Sequence, residues 1–466
     1  MTTQPHSTSP GTDPVSELRA LHVDGRIIAP EDDAYDAART VFYGSRNRRP
    51  AAIVRVKDAA DVSRVVTLAR EKGLELAVKS GGHSLAGHSV SEGGIVLDLS
   101  QMKGIEIDVE ARTAWAETGL TAGEYTAAVG AHGLATGFGD TGSVGIGGIT
   151  LGGGAGFLVR KHGLTIDSML AAEIVTADGE LLRVDAETRP DLFWAIRGGG
   201  GNFGVATRFK FRLHDVDEIV GGMLVLPATP DTIASFVAEA EAAPDELSTI
   251  ANVMVAQPMP FFPAAAHGKL VIVALMAYAG QVEAGERAIA PFRSLAEPIA
   301  DMVKPMQYPE MYGPDEPGPD EEVARSMFID TVDVDVAGAI VEYLRASTAM
   351  MAVAQLRVLG GAMARIPEEA TAFAHRKRRI MVALGAVFGS REEETAHREW
   401  VEDFAAALYQ GESGVYVSFL GDEGEERVRA AYPGATWERL TAVKARYDPE
   451  NLFSLNQNIP PMTGRS

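Results

Sequence analysis

Cysteine is absent from the sequence. Disulfides, thiolate metal sites and cysteine nucleophiles are therefore excluded in any compartment. Positive charge is scarce: 42 Lys and Arg stand against 64 Asp and Glu, a formal net charge of −22. A chain that acidic repels nucleic acid and anionic membranes, so neither is expected as a partner. The one short basic run, Arg376 to Arg379, is followed by Ile380-Met381-Val382 and reads as the lead into a strand. No apolar run approaches the roughly 18 residues of a membrane span. The first fifteen residues are polar, with Pro, Ser and Thr, and read as a disordered tail rather than a signal peptide. The cytoplasm is the default location.

What remains is ordinary globular material. With 466 residues, 46% hydrophobic and 23% charged, the chain can build two or three domains with sizeable cores. From Thr40 to Asp215, strands alternate with helices and glycine loops. Ile53–Val56 reads as a strand. Asp58 then caps a helix whose apolar face is Val62, Val65, Val66 and Ala69 and which Gly73 closes. Leu76–Val78 and Ile95–Leu99 read as strands, and Ile105–Ile107 with Thr113–Ala116 as a hairpin. Thr121 and Glu124 form a capping box for a helix ending near Gly133. An Ala-Asp-Gly-Glu turn joins strands Ala172–Thr176 and Leu181–Val184, and Val205–Leu213 closes the region. From Val220 to Gln410, longer apolar strands such as Met223–Leu226 and Leu270–Ala277 alternate with helices such as Thr232–Ala242. Proline-rich stretches at 257–263 and 305–319 interrupt them and read as loops. This is the pattern of a separate α+β domain. Beyond it come an expected strand, Val415–Leu420, two helices and an Asp-Pro-Glu-Asn turn at 448–451.

Three glycine clusters carry the functional signal. Residues 137–156 hold ten glycines in twenty positions. Glycine lets backbone N–H groups approach a ligand with no Cβ in the way. In so acidic a protein, a diphosphate is better held by N–H groups than by a basic surface. A flexible linker would not carry Ile146, Ile149, Leu151 and Phe157 in step, so the segment reads as a ligand cradle. The second cluster, Arg197 to Gly204, contains a formal G-x-G-x-x-G. It follows a helix-like segment, Asp191–Ile196, and precedes a strand, the reverse of a dinucleotide-binding fingerprint. No phosphate-loop G-x-x-x-x-G-K-[ST] occurs either. The third cluster is Lys79-Ser-Gly-Gly-His-Ser84, directly after a short strand. Within an anion-binding turn of this kind a neutral His83 imidazole is a candidate nucleophile, whereas a lone histidine elsewhere is usually structural.

Order and spacing of eight segments resemble the berberine-bridge-enzyme-like oxidases, within the vanillyl-alcohol-oxidase (PCMH) type of FAD-binding fold. The segments are Arg48–Arg55, Ser80–Ser84, Gly93–Ser100, Val144–Gly156, Gly163–Asp167, Thr176–Gly179, Asp191–Val205 and Tyr447–Ile459. The resemblance is dense over 40–215, clear over 415–461 and weak between. It implies an α+β fold: a two-subdomain FAD-binding domain at 40–215 after a tail and lead-in at 1–39, and a substrate domain with an antiparallel sheet at 216–412. The segment 413–466 would return to the FAD domain. It implies FAD bonded through the His83 imidazole to the flavin 8α-methyl. Lys79, Ser80, Gly81, Gly82 and Ser84 would hold the diphosphate. Thr141, Val144, Gly145, Gly147, Gly148, Gly153 and Gly156 would line the flavin. Val205 would meet the cofactor through its backbone, and Asn456 and Asn458 would close over the ring. No metal is implied.

The chain departs from the family pattern in three places. Thr141 stands where many members carry a cysteine that makes a second flavin bond, so attachment would be through His83 alone. Phe419 replaces the second tyrosine of a Y-x-N-Y motif, the usual proton acceptor, and Phe42-Tyr43 replaces a Trp-Asn pair. The family chemistry moves a hydride from a substrate carbon to the flavin, with loss of a proton from the adjacent hydroxyl or amine. Tyr416, Tyr308 and Tyr312 are the alternatives for the base. Tyr416 is read as facing away from Phe419 on a shared strand. A valine at 144 accompanies reaction with dioxygen in this family, which favours an oxidase acting on a small molecule. A dehydrogenase with another electron acceptor, or a flavin-binding protein without turnover, are the competing readings.

Overall fold

Two strand patterns in the chain produce two kinds of sheet. The computed structural model describes residues 14–216, 218–258, 262–313, 318–411 and 414–462. Most of the polar amino-terminal stretch, and parts of both proline-rich stretches, lie outside the described residues.

Short strands build the first sheet: β1 (Arg26–Ile28), β2 (Ala52–Arg55), β3 (Leu76–Lys79) and β4 (Ile95–Asp98), in the order β1-β2-β4-β3. β2 and β3 run parallel to β4, and β1 is antiparallel to β2. Parallel strands need a covering crossover, supplied here by the helix Ala59–Lys72. Asp58 accepts the Asp61 N–H at its start, and Gly73 ends it in the left-handed conformation. Val62, Val65, Val66 and Ala69 pack into one core with Val54, Ile95 and Leu97.

The second sheet is antiparallel. After β5 (Ile105–Asp108) and β6 (Thr113–Glu117) come the short β7 (Leu134–Ala135), then β8 (Met169–Val175), β9 (Leu181–Asp185) and β10 (Val205–Arg212). The sheet order is β5-β6-β10-β8-β9, while β7 pairs with β11 (His214–Asp215). Between β6 and β7 the capping box of Thr121 and Glu124 opens the helix Ala122–Gly130.

Long apolar strands form the third sheet, antiparallel throughout. They are β12 (Glu218–Pro227), β13 (Leu247–Val255), β14 (Leu270–Tyr278), β15 (Ala300–Asp301), β16 (Lys304–Gln307), β17 (Glu321–Ile329), β18 (Met351–Val358) and β19 (Ile380–Phe388). Their order is β15-β12-β14-β13-β18-β19-β17, with β16 also on β12. Helices Pro230–Ala242, Val334–Ala346 and Glu394–Ala407 share a core with one face of this sheet. The other face is left for the site. The molecule is thus α+β, as the resemblance implied.

The basic run at 376–379 does lead into a strand, β19, and its first member has a packing role. Arg376 is fully buried and holds Asp167 with two hydrogen bonds, of 2.7 and 2.8 Å. Among the described residues, no helix is long and apolar enough to cross a membrane.

One expected strand is corrected. Val415–Leu420 pairs with no sheet; Val417–Phe419 forms a single 3-10 turn. Its Val415, Tyr416, Val417 and Leu420 are buried in the core around Ile146 and Leu151. A short apolar run of this kind reports burial, which periodicity cannot distinguish from a strand. After helices Glu425–Ala431 and Ala435–Tyr447, the turn at 448–451 is built on Asp448. Its carboxylate accepts Lys444 Nζ (2.6 Å) and the N–H groups of Leu452 (2.8 Å) and Phe453 (2.9 Å). Lys444 also reaches the Asn202 carbonyl at 2.8 Å, and both charged side chains are fully buried. This pair fastens the carboxyl-terminal segment to the glycine loop at 197–204.

Candidate active site

A cavity of about 490 Å³ opens between the glycine loops and the free face of the third sheet. Its lining unites segments far apart in sequence: Ser80, Gly81, Gly82, His83 and Ser84; Thr141, Val144, Gly145, Gly147 and Gly148; Val205; Tyr416; and Asn456. Four other expected residues, Lys79, Gly153, Gly156 and Asn458, do not line it.

The loops interlock through their smallest residues. A Cβ on Gly81 would fall on the Gly145 nitrogen, and one on Gly145 on the Gly81 nitrogen, so the two backbones can touch only as glycines. Ser80 fixes the junction: its Oγ donates to the Thr118 carbonyl (2.6 Å) and accepts the Gly147 N–H (3.3 Å). Val144 is held in turn through its carbonyl, which accepts the Ala122 N–H at 2.8 Å. The Ser84 hydroxyl accepts the His88 N–H at 3.1 Å, closing the turn that carries His83. The His83 ring stacks on Phe42 with centroids 4.1 Å apart. That contact gives the Phe42-Tyr43 pair a purpose the sequence did not reveal.

The residues outside the lining have structural duties. Lys79 turns back to donate to the carbonyls of Ala38 (2.9 Å) and Thr40 (2.8 Å), and burial holds its amine below the usual lysine range. Gly156 lies where a Cβ would strike the Phe138 carbonyl. Gly153 has φ +134 and packs against Tyr416 and Phe373. Asn458 is half-buried, and its buried Oδ1 lacks a hydrogen bond among the described residues.

Tyr416 and Phe419 are neighbours, not opposed as expected from a strand. Their rings are 5.2 Å apart and both line the cavity. The Tyr416 hydroxyl accepts the Gly154 N–H at 2.8 Å, and burial raises its pKa above the ordinary tyrosine value. Tyr308 and Tyr312 do not line the cavity. Their hydroxyls are 3.4 Å apart, and Tyr312 donates to the Gly139 carbonyl.

Sequence reasoning missed the wall built by the third sheet. Arg357 of β18 holds Asp140 at 2.7 Å, gives Nε to Gln355 (2.8 Å) and Nη1 to the Ala155 carbonyl (3.0 Å), and lies 5.2 Å over the Phe419 ring. Gln355 extends the network to Asn252 at 2.9 Å. The signal was present as two polar residues, Gln355 and Arg357, in the otherwise apolar strand Met351–Val358. Glu322, Tyr43 and His88 also line the cavity. Burial lowers His88 to about 4 and raises Glu322 to about 7.

These residues fit the implied flavin. A Cβ on Gly148 would meet nothing within 4 Å and would project into open space beside the cavity. Buried polar atoms around the same loops, both His88 ring nitrogens and Ser143 Oγ, have no hydrogen bond within the described residues. A polar ligand with several acceptors and donors satisfies such a site; an empty apolar pocket does not.

Comparison with known proteins agrees. A family model for an FAD binding domain matches residues 50–185, and one described as berberine and berberine like matches 415–460. The chain is similar to (R)-6-hydroxynicotine oxidase of Paenarthrobacter nicotinovorans: 30% identical over 457 residues, 95% of this chain and 98% of that one. It is likewise 30% identical to the uncharacterized FAD-linked oxidoreductase YgaK of Bacillus subtilis, over 96% of this chain and 99% of that one. The crystal structure of 6-hydroxy-D-nicotine oxidase from Arthrobacter nicotinovorans matches with a TM-score of 0.85 at 28% identity, covering 95% of this chain and 99% of that chain.

Proposed function

The chain belongs to the berberine-bridge-enzyme-like FAD-linked oxidoreductases, and on that premise we propose an oxidase that holds FAD covalently through His83 alone. The observation that carries the proposal is the seating of His83 in a cavity walled by two interlocked glycine loops. When bound, FAD supplies acceptance of a hydride from a substrate carbon. Backbone N–H groups of 80–84 and 144–148 would hold it without recruiting basic side chains. Val205 and Asn456 would complete the cradle. With Thr141 at the second attachment position, no side chain there can form a thioether.

The remaining residues orient the substrate. Arg357, Asp140 and Gln355 form a fixed hydrogen-bonding wall, pre-organised because each is held by another member of the network. Tyr416 keeps its own proton, since burial disfavours the phenolate. It fixes the Gly153–Gly154 turn and supports the cavity, and is not assigned as the base. The substrate is a small alcohol, sugar or amine, and dioxygen, released as hydrogen peroxide, is the acceptor that Val144 admits.

A panel of alcohols, sugars and cyclic amines tests this. A turned-over substrate bleaches the flavin spectrum under anaerobic conditions and yields peroxide in air. Bleaching without peroxide would replace the oxidase by a dehydrogenase, and no bleaching with any of the panel would count against an enzyme of this substrate class.

A further inference from the structure

The register of the third sheet sets three rows on the face toward the cavity: Glu322–Val387–Met351, Ala324–Gly385–Val353 and Ser326–Ala383–Gln355. Alternate residues of a strand share a face, and Glu322, Ala324 and Ser326 all line the cavity. Small side chains at 324, 326, 383 and 385 leave open space beneath them. Glu322 closes this face with a carboxylate.

The lining holds two arginines and two carboxylates, but they do not pair off with one another. Arg357 pairs with Asp140 at 2.7 Å, whereas Arg325 turns to Glu423, outside the lining, at 3.9 Å. The Glu322 carboxylate takes no hydrogen bond or ion pair from the described residues. From the segment that packs over it, Tyr43 is uncharged, its hydroxyl raised by burial and then by Glu322 itself. Among the described residues Arg46 is the one cation acting on Glu322, beyond ion-pair distance, and its Nε is given to the Leu85 carbonyl at 3.0 Å. Along its own row stand Val387 and Met351, which carry no charge. A desolvated carboxylate without a partner is an unfavourable arrangement that a cation relieves. The chain's net charge of −22 also raises the local concentration of cations.

We propose that Glu322 is the specificity-determining residue of this cavity and receives a cationic nitrogen of the substrate, one separate from the carbon that is oxidised. The substrate class narrows accordingly to alcohols or amines that carry such a second, positively charged group. Phe42, next to Tyr43, stacks on His83, so the anchor lies toward the His83 end of the chamber. This inference rests on reading the cavity as the flavin and substrate chamber.

Calorimetric titration of the purified holoenzyme under anaerobic conditions tests it, with choline and its uncharged carbon isostere, dimethylbutanol, as probes. Choline carries a permanent charge, so any pH dependence of its preference belongs to the protein. Choline, whose quaternary ammonium donates no hydrogen bond, is expected to bind about ten- to hundredfold more tightly than the isostere by charge attraction alone when Glu322 is ionised. Glu322 is charged above its pKa of about 7, so the preference grows as pH rises through that value and shrinks below it. In Glu322→Gln the preference and its pH dependence disappear, while flavin content and melting temperature are kept. The wild-type pH profile stands as evidence even if the variant folds poorly. Equal binding of the two probes, no measurable choline binding, or a preference surviving in Glu322→Gln overturns the proposal. Protein lacking flavin but showing the Glu322-dependent preference would contradict the flavin reading and leave this one intact. Flavin-bearing protein without the preference would do the reverse.

Discussion

Replacing Asp448 by Asn should unfasten the carboxyl-terminal segment. The wild-type carboxylate accepts three donors, from Lys444, Leu452 and Phe453, in a fully buried setting. The amide keeps the size but cannot balance the Lys444 ammonium, whose other partners are the carbonyls of Asn202 and Phe453. Breaking a buried pair by removing one partner costs about 3–5 kcal/mol, because the surviving charge stays buried. Lys444→Met should cost a similar amount for the mirror reason. The double variant should cost less than the sum of the two, with a coupling of roughly 0.5–3 kcal/mol. The readout is urea unfolding followed by intrinsic fluorescence, with flavin fluorescence recorded in parallel. Exposure of the bound flavin to solvent, read as a change in its fluorescence, should precede global unfolding in Asp448→Asn, because Asn456 and Gln457, which follow the turn, line the cavity. An Asp448→Asn midpoint equal to wild type, or single effects that simply add, would refute the reasoning.

Three further outcomes are expected. Gly147→Val should abolish flavin retention, since even a Cβ there lies 3.0 Å from Ser80 Oγ. Gly153→Val should do the same through the Tyr416 support, with backbone strain of about 1–3 kcal/mol at its positive φ; normal flavin content in both variants would make the loop a spacer. Val144→Leu should slow reoxidation by dioxygen more than reduction by substrate in stopped-flow traces, and unchanged reoxidation would remove any gating role. Burial lowers His88 and His214 to about 4 and His162 to about 3. Their folded pKa values lie below the unfolded value near 6.5, so the stability they contribute is present above about pH 6.5 and lost as pH falls toward 4. Thermal melts across that range should decline, and a flat profile would contradict the burial of all three rings.

Much of the first region was legible because its signals are local. The Asp58 cap, the Thr121–Glu124 box and the glycine density at 137–156 each act within a few residues. The cavity's glycine walls can therefore be named from the sequence, though Lys79, Gly153, Gly156 and Asn458, expected at the cofactor, are not among the lining residues. The roof was not legible. Glu322, Gln355 and Arg357 meet the loops only through strand register across the third sheet, which no window of sequence contains. The role of Phe42 depends on its stacking with His83, across forty intervening positions. The 415–420 segment misled because burial from several sides gives the same apolar run as a strand.

Covalent attachment of FAD through His83 is tested most directly by acid precipitation. The account predicts a yellow pellet whose flavin stays with the polypeptide, a single flavin-bearing peptide containing His83, and loss of the bond in His83→Ala with some non-covalent flavin still held by the glycine loops. Flavin released entirely into the supernatant from the wild-type protein, or a flavin-bearing peptide elsewhere in the chain, would contradict it.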